Sequence, residues 1–167
     1  MPVQPGAAIL HKAMKKTILI IYHSQSGNTE RMARAVAEGA AGMEGARAVL
    51  KRAADATLDD LLGCDGLVIG SPEYFGYMAG AVKDFFDRTY EPGHADSRVL
   101  RKPFAVFIHA GNDGSGALAS IERICRGYTF KKVYEHLIVC GEVTDVVLAK
   151  CVEMGQTIAA GCVEKIY

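Results

Sequence analysis

No charge of one sign predominates in this sequence: 19 Lys and Arg stand against 19 Asp and Glu, for a formal net charge of 0. Binding nucleic acid by counterion release requires a basic surface, and no basic block here exceeds pairs such as Lys15-Lys16 and Lys131-Lys132. No nucleic-acid partner is expected. A disulfide framework is missing too. Cys64, Cys125, Cys140, Cys151 and Cys162 are odd in number, and neither a C-x-x-C pair nor a Cys/His spacing suits zinc. Reduced thiols, a cytoplasmic location and no metal site are the expectations. The longest apolar runs are strand-sized, well short of the roughly 20 residues a spanning helix needs, so no membrane insertion is expected. Repeats, low-complexity tracts and Ser/Gly linkers are absent as well, and nothing in composition divides the chain.

What remains is a balanced globular composition, 50% hydrophobic and 23% charged over 167 residues. That length corresponds to about one domain, able to bury roughly 70% of its unfolded surface without staples. Pro2, Pro5, Gly6 and His11-Lys12 break up the first segment, which lacks the apolar core and cleavage site of a signal peptide. Residues 1–15 read as a loose N-terminal arm and residues 16–167 as a single domain.

Four short apolar runs rich in β-branched or aromatic residues, 17–22, 66–71, 104–110 and 133–140, are each followed by a loop and a helical pattern. A weaker strand, 46–51, fits between the first two. Such alternation implies βαβ units and a parallel sheet. The nearly continuous apolar character of 17–22 and 103–108 suits strands covered on both faces. Helices are expected over 29–43, 58–62, 79–89, 117–127 and from 144 onward, the first with Met32, Ala33, Val36, Ala37 and Ala40 on one face. Five strands and five helices make an α/β three-layer sandwich.

Open parallel sheets bind ligands beyond the carboxyl ends of their strands. Three loops there have unusual compositions. Ser24-Gln25-Ser26-Gly27-Asn28-Thr29 joins a buried strand to a helix, where free N–H groups, a glycine and hydroxyls can wrap a phosphate dianion. It contains no Lys or Arg, which suits a retained phosphate monoester better than a phosphoryl group in transfer. A plain Ser/Thr cap is the alternative for any single hydroxyl. The loop is neither a Walker A sequence nor a cysteine phosphatase loop. Ser71-Pro72-Glu73-Tyr74-Phe75-Gly76 and Tyr77 place three aromatics within four residues, able to meet a planar ring while backbone N–H groups meet its polar edge; one of the three is expected to turn inward. Ala110-Gly111-Asn112-Asp113-Gly114 has little side-chain bulk, so its backbone can run along a ligand edge.

Ser24-x-Ser-Gly-Asn-Thr29 resembles the phosphate loop of flavodoxin-like proteins. The stretch from Gly70 through Tyr77 to Gly80, with Val82-Lys83-x-Phe85-x-Asp87 after it, resembles the ring loop of the NAD(P)H-dependent FMN and quinone reductase branch. The resemblance runs from about Lys16 to the end. It implies a flavodoxin-like five-stranded parallel sheet in the order 2-1-3-4-5, with non-covalent FMN as cofactor. It also implies phosphate contacts from residues 24–29 and the flavin ring between 71–76 and 110–114. The flavin carries the chemistry, so no catalytic side chains are required.

Two readings stay open. An electron-carrying flavodoxin is typically strongly acidic and sandwiches its flavin between aromatics, whereas this chain is neutral and only one ring loop is aromatic. An open flavin face favours NAD(P)H as co-substrate, a small-molecule redox acceptor such as a quinone, and a possible homodimer. Asp113 reads either as a charge near the ring or as a turn residue, and His94 and His109 as proton relays or structural residues. A receiver-type signalling module would need acidic residues where His23-Ser24 and Ser71-Pro72 stand.

Overall fold

Alternate residues of the central strands face opposite layers, and that alternation divides the core in two. The computed structural model describes residues 14–167, so most of the expected arm lies outside the described residues. The elements are β1 (Lys16–Tyr22), α1 (Asn28–Ala41), β2 (Ala46–Arg52), α2 (Leu58–Gly63), β3 (Gly66–Tyr74), β4 (Tyr77–Met78), α3 (Gly80–Gly93), β5 (Pro103–Ala110), α4 (Ser115–Gly127), β6 (Lys131–Lys132), β7 (Leu137–Cys140) and α5 (Asp145–Val163). Leu19 and Ile21, Leu67 and Ile69, and Val106 and Ile108 point into one core with Phe85, Phe86, Ile121 and Tyr128. Ile18, Ile20, Val68, Ala105 and Phe107 point into the other, with Met32, Val36, Met154 and Ile158. Strands buried on both faces have no solvent side, which is why their sequences read as continuous apolar runs.

The sheet runs β2-β1-β3-β5 with β6 and β7 on the far edge, all parallel, and β4 pairs antiparallel with β3. Counting the edge as one strand gives the expected order. Two details correct the expectation. First, the run 133–140 is not one strand. β6 meets β5 only at Pro103 and Phe104, and β7 resumes at Phe107. Between them the His136 imidazole takes the place of a strand carbonyl, its Nδ1 accepting from the Val106 N–H at 3.1 Å. Its Nε2 lies 3.0 Å from Glu122 Oε1 on α4. Second, the expected ring loop is a hairpin, because β3 continues through Pro72 to Tyr74 and returns as β4.

The helices match the expected five, α3 running on to Gly93 with Pro92 in its last turn. A capping box starts α2, with Thr57 Oγ1 accepting from the Asp60 N–H while the Asp60 carboxylate accepts from the Thr57 N–H. The buried Lys102 ammonium donates to the Cys64 carbonyl at the other end of α2, where the helix dipole favours a cation. By length and mean hydropathy α5 is apolar enough to cross a membrane, although Asp145, Lys150 and Glu153 keep its continuous apolar runs short, as expected. Here it serves as a core helix: Cys151, Met154, Ile158 and Cys162 are buried beside α1 and the sheet.

Candidate functional site

The carboxyl ends of β1, β3 and β5 bring residues 24–29, 71–77 and 110–114 to one edge of the sheet. In the first segment, Gly27 caps α1 at φ 97°, a left-handed conformation that costs glycine little and other residues about 1 kcal/mol or more. Ser24 is buried, and its Oγ accepts from the Gly27 N–H at 3.1 Å, closing the turn. The backbone N–H groups of Ser26, Asn28 and Thr29 find no acceptor among the described residues, and no side chain caps the helix. Thr29 is buried, while Gln25 and Ser26 are exposed. A turn of free amides at a helix start, closed by one serine and bordered by hydroxyls, suits a phosphate monoester.

The second segment is a two-residue hairpin. Tyr74 pairs with Tyr77 and Glu73 with Met78, and both Phe75 (φ 52°) and Gly76 (φ 70°) take positive φ. That pattern matches a type I′ turn, which usually carries Asn-Gly; an aromatic residue at its first position is strained. Phe75 is fully exposed and Tyr77 half so, while Tyr74 packs against the core, the inward-turning member of the three. Burial pushes the Tyr74 phenol pKa up. The His23 ring meets Tyr74 edge-on at 6.1 Å, linking the first two segments. Burial first, and then the Arg52 charge, holds the His23 pKa below the usual histidine value.

Ser71 and Pro72 are buried inside the hairpin's base. The Ser71 hydroxyl donates to the Pro72 carbonyl at 2.7 Å and accepts from the Ala79 N–H at 2.9 Å. Glu73 has an unexpected task. Its two carboxylate oxygens accept from the N–H groups of Gly114 (3.2 Å) and Ala117 (3.0 Å), so it caps α4 from another element. Ser120 Oγ accepts from the Met78 N–H at 3.3 Å. Gly116 lies so close to the Gly76 carbonyl that a Cβ there would sit 2.0 Å from its oxygen. Four fastenings therefore mount the hairpin rigidly on α4.

In the third segment Ala110 and Gly114 are buried, while Gly111, Asn112 and Asp113 are exposed. Asp113 Oδ1 accepts from the Ser115 N–H and hydroxyl, both at 2.9 Å, and these bonds lower its pKa. It is thus a turn residue at the start of α4. His109 Nε2–H donates to the Gly141 carbonyl at 2.7 Å, and His94 stacks on Tyr90 on the surface; both work within the local structure. Cys140 Sγ–H donates to the Asn112 carbonyl, fastening β7 to this segment.

Arg52, at the end of β2, was not singled out from sequence. Its guanidinium lies 3.4 Å from the Ser24 carbonyl and 3.8 Å from Glu30 Oε1, beside the first segment. The same Glu30 oxygen accepts from Tyr22 Oη (2.9 Å) and Arg34 (3.1 Å). The available signal was a basic residue at the carboxyl end of a strand adjacent to β1.

A doubly wound parallel sheet with its polar segments at the β1 and β3 ends defines an α/β fold of the flavodoxin type. Comparison with known proteins narrows it. Residues 45–126 match the family model for NADPH-dependent FMN reductase, a span containing the hairpin and the third segment. A flavodoxin from Aquifex aeolicus is 46% identical over 101 residues, covering 59% of this chain and 52% of that protein. An NAD(P)H dehydrogenase (quinone) from Acidithiobacillus ferrooxidans is 32% identical over 119 residues, covering 59% of each. The chain thus spans a little over half the length of these relatives. Among solved structures, a flavodoxin from the domain Archaea superposes with a TM-score of 0.78 at 25% identity, over 87% of this chain and 98% of that one. A flavodoxin, WrbA-like protein from Agrobacterium tumefaciens gives 0.75 at 24% identity, over 90% and 99%. The family model covers just under half of this chain, and the fold is that of flavodoxin-like proteins.

Proposed function

We propose that the chain binds FMN at this edge of the sheet and is an oxidoreductase that takes electrons from NAD(P)H and passes them to a quinone or another flat acceptor. The observation that carries the reading is the pairing of unsatisfied amides at Ser26, Asn28 and Thr29 with a rigid aromatic hairpin across the site. The first suits the phosphate, with Ser24, Gln25, Ser26, Gly27, Asn28 and Thr29 around it. The second, with Ser71, Pro72 and Glu73 as its base and Tyr74, Phe75 and Gly76 at its tip, borders the ring. Residues 110–114 border the ring's other edge. Bound FMN supplies the redox chemistry itself, and the side chains bind, orient and expose it.

The third segment presents only small or polar exposed side chains, Gly111, Asn112 and Asp113. It offers no aromatic cover, which leaves one side of the ring open to a nicotinamide or a flat acceptor. The net charge of 0 supplies no long-range steering toward a basic redox protein. The alternative, a carrier passing single electrons to a protein partner, is favoured by the 46% identity to a flavodoxin. Anaerobic addition of NADH or NADPH to the FMN-loaded protein separates the two. Rapid bleaching of the flavin bands, with reoxidation by a benzoquinone, supports the reductase. Bleaching by dithionite alone, with a flavin radical signal at half reduction, supports the carrier.

A further inference from the structure

Two guanidinium groups share one carboxylate at the rim of the first segment. Glu30 Oε1 is occupied by the Tyr22 hydroxyl and by Arg34 at 3.1 Å, while Arg52 reaches it only at 3.8 Å. One positive charge is therefore left over beside residues 24–29, whose own sequence contains no cation. Arg52 also reaches the turn itself, at 3.4 Å from the Ser24 carbonyl, with its side chain 48% exposed. Its guanidinium has five N–H donors, and neither contact holds it tightly. The β1–β2 register fixes its backbone opposite Tyr22, and the charged end lies over the Tyr22 ring, 5.5 Å from its centroid.

We propose that Arg52 makes this site select a phosphorylated flavin over its unphosphorylated counterpart, as the charge partner of the phosphate. The inference rests on the FMN reading given above. A dianion in the turn would otherwise meet neutral donors alone. A guanidinium beside that turn adds a charge-assisted interaction that riboflavin cannot receive. Half-exposed, the interaction is screened by salt over roughly 10 Å at 0.1 M ionic strength.

The test measures dissociation constants for FMN and riboflavin by quenching of flavin fluorescence, at low and high salt, for the wild type, Arg52→Gln and Arg52→Lys. Arg52→Gln is expected to weaken FMN by about five- to tenfold, leave riboflavin unchanged and flatten the salt dependence. Arg52→Lys is expected to restore most of the salt dependence. Equal weakening of both flavins would show that Arg52 only braces the Ser24 turn, and would overturn the proposal. Unchanged FMN affinity in Arg52→Gln would overturn it as well. A wild type that binds neither flavin would instead overturn the FMN reading, and the two failures are thus distinct.

Discussion

Replacing Glu73 by alanine should loosen the edge of the site without disturbing the sheet. The carboxylate accepts two N–H bonds at the start of α4, from Gly114 at 3.2 Å and Ala117 at 3.0 Å. A hydrogen bond to a charged acceptor contributes about 1.5–3 kcal/mol, and a carboxylate at a helix N-terminus gains a further ~0.3–1 kcal/mol from the dipole. Glu73 is only half-buried, so water reaches the freed amides in the variant and the net loss falls to about 2 kcal/mol. In a domain of this size that lowers the melting temperature by roughly 4–8 °C. Glu73→Gln keeps one acceptor but sets an amide donor against a second N–H, and should fall between wild type and alanine. Urea denaturation gives the energies, and amide hydrogen exchange should show faster opening at Gly114 and Ala117 with β1 and β3 unaffected. A loss below about 0.5 kcal/mol, or protection unchanged at both amides, would refute the capping argument.

Phe75 sits at φ 52° and is fully exposed, so Phe75→Asn should stabilise the protein by about 0.5–1 kcal/mol in urea; destabilisation would show that its ring is packed after all. At Gly155 a Cβ would lie 2.0 Å from the Val36 carbonyl oxygen, so Gly155→Ala should force α5 away from α1 and cost about 1–3 kcal/mol by the same measurement. Burial holds the His136 pKa below its usual 6.5, so the unfolded chain takes up the proton more readily. Stability from this group is complete above about pH 6.5 and is lost as pH falls from there toward the folded pKa. His136→Gln should flatten the fall in urea midpoint between about pH 7 and about pH 5, and an unchanged slope would count against it.

The strands were legible because burial on both faces left their sequences almost wholly apolar, and the first segment because Ser, Gly, Asn and Thr cluster where β1 meets α1. The break in the edge strand was not. Val133 to Cys140 reads as one strand despite Glu135-His136 in its middle, and only the fold brings Val106 and Glu122 to the His136 ring, 30 and 14 residues away in sequence. Pro72 suggested a loop, yet the proline lies inside β3, beyond which only the short β4 hairpin adds to that strand. The Glu73 and Arg52 contacts span 41 to 44 and 28 residues. Pairings at such separation leave no local pattern, whereas caps such as Thr57 with Asp60 lie within one turn.

Whether residues 24–29 hold a flavin phosphate decides the assignment of the whole site. Titration of FMN against the wild type and against Ser26→Ala combined with Thr29→Ala, followed by flavin fluorescence, addresses this in one experiment. One FMN per chain is expected, with the double variant weakened by about 1–3 kcal/mol. Identical affinity in the two proteins would place the phosphate elsewhere, and no binding to the wild type would contradict the cofactor assignment itself.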